Sequence, residues 1–255
     1  MAKFNIKFES KSIEGPAYLI VYIPDILFRE GRVEEGRVVY LLHGKNGDGE
    51  DFGDYTGCYP YARERELILV IPSMTNSYYA DMAYGPRYFE FLSSEVPLYL
   101  KNTLKISSQW DKNYVLGYSM GGFGALKLAL TYPERFKEVC SLSGSLRSMA
   151  VNEKLIQGGQ RQDLNLAFGS CNAETYKAND IYHLIEELLK NKDRIPYINL
   201  YCGEQDGLFQ YNKAYAEFLE EKKVPHSFSL DQGDHSFTYW DKEILRFFQK
   251  IDNEK

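Results

Sequence analysis

The stretch "VLGYSMGGFG" sets Ser119 two residues after Gly117 and two before Gly121, with Gly122 and Gly124 close behind. A serine hydroxyl is a poor nucleophile at neutral pH and needs a neighbouring base to take its proton. In a Gly-x-Ser-x-Gly pattern the small neighbours let the backbone turn sharply from strand to helix, which lifts Oγ into the open. The flanks support that reading over a glycine-rich turn with an idle serine. "NYVLGY" ahead of Ser119 reads as a strand, and "GGFGALKLALTYP" after it reads as a helix stopping at Pro133.

The base should be one of four histidines. His183 falls on the polar side of a helical stripe and His226 in a strand-like run, so both read as surface or structural residues. His43 ends a strand-like run ahead of the serine, whereas a nucleophile on such a turn takes its acid and then its histidine from further down the chain. His235, in "LDQGDHSF", satisfies that order. The acid must hold the other ring nitrogen so that the right tautomer faces the serine. Asp206, in "YINLYCGEQDGLF", follows a strand-like run and leads into a helix; Glu204, two residues nearer the strand, is its rival. Asp234 adjoins His235, but neighbours seldom meet through the ring nitrogen, and Asp231 and Asp234 read as turn formers.

Acyl transfer also needs two backbone N–H groups aimed at the developing oxyanion. One is expected from Met120, at the start of the helix, where amides lack partners. The other is expected from Lys45 in the loop "HGKNGDGEDF", where Gly44 and Gly47 let the backbone come close; the alternative for this loop is a solvated polar turn.

These residues need a frame. "KFNIKFE" and "AYLIVYIP" read as an antiparallel pair of strands. From Val38 onward "RVVYLLHG", "LILVIPS", "NYVLGYS", "EVCSLSG" and "YINLYCG" are continuous apolar runs separated by helix-length segments, the pattern of strands buried on both faces. Helical stripes follow Asn179 or Asp180 as cap (Ile181, Leu184, Ile185, Leu188), run through Leu208, Tyr211, Tyr215, Phe218 and Leu219, and close the chain through Phe237, Trp240, Ile244, Phe247 and Ile251. A further helix over Tyr88 to Leu104 is expected to kink or break near Val96, before Pro97. The fold class is α/β: a mostly parallel central sheet with an antiparallel N-terminal start and helices on both faces, in one domain. Residues 144 to 179 are polar, interrupted by glycine and weakly periodic. They follow a strand's carboxyl end, the ligand edge of such a sheet, so they read as a cap or lid insertion or as a plain surface excursion.

Bulk properties narrow the partners. Among the 255 residues 44% are hydrophobic and 26% charged, the make-up of a folded globular chain. The net charge of −6, with Lys and Arg scattered, leaves no footprint for nucleic acid. "MAKFNIKFES" has no apolar signal-peptide core, and no run of ~18 apolar residues occurs. The chain therefore reads as soluble and cytoplasmic with no membrane partner, although a signal already removed would leave the same sequence. Cys58, Cys140, Cys171 and Cys202 form no CxxC pair and read as buried free thiols. The histidines and carboxylates show no metal-ligand spacing, so neither metal nor cofactor is expected.

With "VYLLHGKNGD", "IPSMTNSYYADMAYG", "GYSMGGFGALKLAL", "CGEQD" and "GDHSFTYWDKEI" in view, the chain resembles the "Putative esterase" family of α/β-hydrolases, in particular its tributyrin esterase type. That family also holds antigen 85 mycolyltransferases, S-formylglutathione hydrolases and feruloyl and acetyl xylan esterases. The resemblance spans residues 39 to 245. It implies an α/β-hydrolase fold, a triad of Ser119, His235 and Asp206, an oxyanion hole from the amides of Lys45 and Met120, and hydrolysis of short-chain acyl esters. It also implies that the loop "TNSYYADMAYG" borders the pocket, so Asn76, Tyr78 and Tyr84, with Gly44, become substrate-binding candidates.

Lys45 departs from the apolar residue common in the family, and its cation would favour acidic or sugar-linked substrates. The cysteine-bearing segment of S-formylglutathione hydrolases is replaced by "HGKNGD", which argues against a glutathione thioester. The substrate expected is a small-molecule or carbohydrate-linked ester; feruloyl or acetyl xylan ester hydrolysis and acyl transfer to an alcohol are the alternatives. A non-catalytic binding module would be expected to lack a triad member, whereas all three positions are filled. A homo-oligomer is compatible with the sequence, which leaves the oligomeric state open.

Overall fold

The computed structural model describes residues 2–107, 109–169 and 173–253. Eight strands form one sheet: β1 (Ala2–Ser10), β2 (Gly15–Ile23), β3 (Arg37–Leu42), β4 (Leu67–Pro72), β5 (Asn113–Tyr118), β6 (Glu138–Leu142), β7 (Tyr197–Gly203) and β8 (His226–Asp231). Their order is β1-β2-β4-β3-β5-β6-β7-β8. β1 and β2 pair antiparallel, as does β2 with β4; every pairing from β4 through β3 to β8 is parallel.

Alternation along the parallel strands feeds two cores. Val38, Tyr40 and Leu42 of β3 and Val115 of β5 face one core, together with the helices Met120–Thr131 and Ile181–Asn191. Val39 and Leu41, with Tyr114 and Leu116, face the other, against Phe247 and Ile251 of the helix Phe237–Asn253. Covering both faces is what makes the strand sequences continuously apolar. Each fully buried Leu, Ile or Val contributes about 1.5–3 kcal/mol.

The helical stripes fall where their periodicity placed them. Asp180 caps Ile181–Asn191, its carboxylate accepting from the amides of Tyr182 and His183, and Asn179 does not take that role. The helix Phe209–Glu221 buries Tyr215 and Leu219. The expected break before Pro97 takes another form: the chain winds into a wide π turn over Phe91–Glu95 and resumes as helix over Val96–Leu104. Proline has no amide to offer the preceding turn. The carbonyl it would have bonded, that of Ser93, accepts from the Arg135 guanidinium at 2.6 Å instead.

Among its described residues, the weakly periodic segment after β6 holds three short helices, Met149–Gln157, Gln162–Phe168 and Ala173–Asn179. Its apolar residues are spread over several short contacts, with Met149, Leu164 and Phe168 buried, so no single stripe marks them. Cys58, Cys140 and Cys202 are free and buried, and burial pushes the thiols of Cys58 and Cys202 up to about 12. Cys171 lies outside the described residues. Among the described residues no helix is long and apolar enough to cross a membrane.

Candidate active site

The sheet order reverses at β3, whose neighbours β4 and β5 follow it in the chain on opposite sides. Loops leaving the carboxyl ends of strands at such a point diverge and open a crevice. Lys45 leaves β3, Ser119 leaves β5, Ser143 leaves β6, Asp206 leaves β7 and His235 follows β8, so five strands deliver their chemistry to one edge.

Ser119 stands between β5 and the helix Met120–Thr131 with φ 55° and ψ −117°, a left-handed backbone that a side chain seldom adopts. Several bonds hold it there: its amide donates to the Leu142 carbonyl at 2.8 Å, and its carbonyl accepts from the amides of Gly122 at 3.1 Å and Ser145 at 2.9 Å. The turn also requires close approach. A Cβ on Gly121 would lie 1.9 Å from the Leu42 carbonyl oxygen, against backbone that cannot yield.

From Oγ of Ser119 the next atom is Nε2 of His235, at 3.0 Å. Nδ1 of the same ring lies 2.9 Å from Oδ2 of Asp206. Asp206 is buried and accepts the Leu208 amide on Oδ1 at 2.7 Å. Burial alone would raise its pKa; hydrogen bonds from His235, Ser143 and the Leu208 amide outweigh that and hold the carboxyl below its usual range. Glu204, the rival acid, is exposed, and its amide donates to Asp231, so the structure brings Asp206 and not Glu204 to the ring. Asp234 accepts from Ser236 within the turn.

Two residues that sequence reasoning missed brace this row. Ser143, fully buried, accepts from the Trp240 indole at 3.0 Å, and the indole stands edge-on to the His235 ring with centroids 4.9 Å apart. Neither carried a signal: Ser143 is one polar residue ending an apolar run, and Trp240 reads as part of a core stripe.

His43 belongs to the frame. It is buried, its Nε2 accepts from the Met74 amide at 2.8 Å, and Nδ1 lies 2.8 Å from the Gly44 carbonyl. The first contact leaves Nε2 without a proton, so Nδ1 donates to Gly44 and fixes the start of the Lys45 loop. The other histidines stay clear of the row; His226 bonds the Val224 carbonyl through Nδ1. Gly44 lies against Ser119, since a Cβ on it would come within 3.3 Å of the serine Cβ. The Lys45 loop turns back through a bond from the Gly47 amide to the Gly44 carbonyl at 3.4 Å. Met120 opens its helix, where an amide has no carbonyl partner within the helix.

A cleft of about 330 Å³ lies over Ser119, lined among others by Lys45, Tyr78, Met120, Arg147, Arg161 and His235. Of the pocket candidates, Tyr78 and Gly44 are at the site. Asn76 instead exchanges hydrogen bonds with Asn46, bracing the Lys45 loop from outside, and Tyr84 is 63% exposed and does not line the cleft. Arg147 and Arg161 come from the segment after β6, where the sequence pointed to the ligand edge but marked no residue. Among the described residues no three His, Cys, Asp or Glu side chains gather as a metal-binding group.

An eight-stranded, mostly parallel sheet carrying a serine on a strained strand-to-helix turn defines an α/β-hydrolase of the serine-hydrolase class. A family model described as "Putative esterase" matches residues 10–251, and the chain belongs to that family; it is an esterase. It is 28% identical over 265 residues to the acetyl esterase of Caldicellulosiruptor saccharolyticus, covering 98% of this chain and 97% of that one. The substrate-bound structure of Staphylococcus aureus fluorophosphonate-binding serine hydrolase F superposes with a TM-score of 0.88 at 29% identity, covering 99% of this chain and 98% of that one. An S-formylglutathione hydrolase from the same organism is similar too, with a TM-score of 0.85, 30% identity and 99% of each chain covered.

Proposed function

We propose that this chain is a serine carboxylesterase acting on short-chain acyl esters through Ser119, His235 and Asp206. The unbroken row from Ser119 Oγ to His235 Nε2 at 3.0 Å and from His235 Nδ1 to Asp206 at 2.9 Å carries the reading. As Oγ attacks the ester carbonyl, its proton passes to Nε2, and the buried Asp206 carboxylate stabilises the imidazolium while keeping the ring in register. The carbonyl oxygen, now an oxyanion, takes hydrogen bonds from the amides of Met120 and Lys45. Collapse breaks the bond to the alcohol, which leaves with the proton from Nε2 and deposits the acyl group on Ser119. Water then repeats the sequence, its proton going to His235, and releases the acid.

One observation supports a small ester: a relative matched along nearly its whole length is named an acetyl esterase. Initial rates on 4-nitrophenyl acetate, butyrate and octanoate, methyl ferulate and an acetylated xylo-oligosaccharide test the reading, with Ser119→Ala as blank. Acetate and butyrate are expected to lead, octanoate to fail, and Ser119→Ala to lose about 10⁴-fold or more in kcat. Near-normal turnover by pure Ser119→Ala would remove the assignment; a lead by ferulate or the acetylated sugar would move the substrate to esterified carbohydrate.

A further inference from the structure

The charge at the cleft runs against that of the chain. The protein carries a net charge of −6, yet three cations, Lys45, Arg147 and Arg161, line the space over Ser119. One carboxylate facing them, Asp163, is already committed. It takes Arg161 through two contacts, Nε to Oδ1 at 2.9 Å and Nη2 to Oδ2 at 2.8 Å, receives Lys45 Nζ at 3.0 Å, and accepts from the Tyr78 hydroxyl at 3.0 Å. Burial works against its charge, but these partners hold its carboxyl well below the usual range.

Arg147 is different. Among the described residues it has no carboxylate partner. Its guanidinium donates to the neutral Ser145 hydroxyl at 2.7 Å and lies 4.7 Å from the centre of the Tyr211 ring, and its Nε–H is buried without an acceptor. The Tyr211 ring beneath it and the Ser145 hydroxyl hold the guanidinium at the cleft wall while most of its donors stay uncommitted. A planar fork held in place beside a reacting serine matches a carboxylate in geometry and charge. Asp163 cannot supply that carboxylate, being already held by Arg161 and Lys45.

We infer that the ester this site turns over carries a carboxylate on its acyl or its alcohol arm, and that Arg147 seats it. The inference rests on Ser119 being the nucleophile. The cation of Lys45 lies on the same cleft and adds to the attraction, although Asp163 answers part of its charge. In a partly desolvated cleft, removing one partner of a hydrogen-bonded charge pair reduces recognition by about 30-fold or more.

Matched ester pairs separate the two arms. Mono(4-nitrophenyl) succinate against its methyl ester places the charge on the acyl arm; 4-acetoxybenzoate against its methyl ester places it on the leaving arm. For each pair the charged-to-neutral ratio of kcat/KM is measured in the wild type, Arg147→Gln and Arg147→Lys, with Ser119→Ala as blank. Because the readout is a ratio within one sample, the amount of folded enzyme cancels. In one pair Arg147→Gln is expected to lower the ratio about 30-fold, Arg147→Lys, which keeps the charge without the fork, is expected to retain only part of the preference, and the wild-type ratio is expected to fall as salt is added. The pair that responds identifies the arm. A ratio that is the same in wild type and Arg147→Gln for both pairs would overturn this inference alone. Wild-type rates no higher than those of Ser119→Ala on every ester would overturn the nucleophile assignment and this inference with it.

Discussion

At the scale of single residues, the site depends on which atoms are held rather than on which residue types are present. Aspartates and glutamates abound in this chain, but among the described residues Asp206 alone combines burial, the Leu208 amide at 2.7 Å and the His235 ring at 2.9 Å. An asparagine there would keep the shape and lose the charge, and would present either an N–H to the ring or an oxygen too weak to hold the imidazolium. Asp206→Asn is therefore expected to fold normally and to lose about 10⁴-fold in kcat, the loss that the same exchange causes in another serine triad. Steady-state kinetics beside a circular dichroism spectrum would check this; a variant within tenfold of wild type would mean that Asp206 does not orient the base.

At the scale of elements, β5, its turn and the helix Met120–Thr131 act as one part. The strained backbone of Ser119 persists because neighbouring chains over-determine it, β6 and its loop from one side and β3 from the other. Gly121 is the contact with β3. Gly121→Ala would drive a Cβ to 1.9 Å from the Leu42 carbonyl oxygen and must push the helix off the sheet. Its expected cost is about 1–3 kcal/mol or more of stability. Chemical denaturation would check the cost, and an unchanged midpoint with unchanged activity would contradict the close approach. The turn was legible in "GYSMGG" because only glycine tolerates such contacts. The response to Pro97 was not: the bond that lets the helix widen there comes from Arg135, 38 residues further on, and no local pattern encodes it.

At the scale of the whole molecule, Lys127 ties distant parts together. Fully enclosed on the helix behind Ser119, its ammonium donates to the Tyr79 carbonyl at 2.9 Å and to Asn179 Oδ1 at 2.6 Å and lies 4.0 Å from the centre of the Phe89 ring. It thereby joins the loop after β4 to the end of the excursion after β6. Burial pulls its pKa from the ordinary 10.5 down to about 7. Below pH 7 folded and unfolded chains both hold the proton. Between about 7 and 10.5 the unfolded chain holds more, so this group makes stability rise with pH across that window. The wild type should gain on Lys127→Met by up to about 1.4 kcal/mol per pH unit there. Urea midpoints at pH 6, 8 and 9.5 would check it, and parallel profiles for the two proteins would mean that Lys127 keeps its proton.

Strand composition, the glycine spacing around Ser119 and the order of serine, acid and histidine along the chain were enough to predict a mostly parallel sheet with its chemistry at one edge. These are local or ordinal features: a strand buried on both faces must be apolar throughout, and a sharp turn must be small. The sequence put Asp206 ahead of Glu204 as the acid, and the packed structure shows what sets them apart, because burial and hydrogen-bond partners are properties of space. The cationic wall of Lys45, Arg147 and Arg161 likewise arises from folding. These residues lie up to 116 positions apart in segments without a shared pattern, and they meet because β3 and β6 end at the same edge of one sheet.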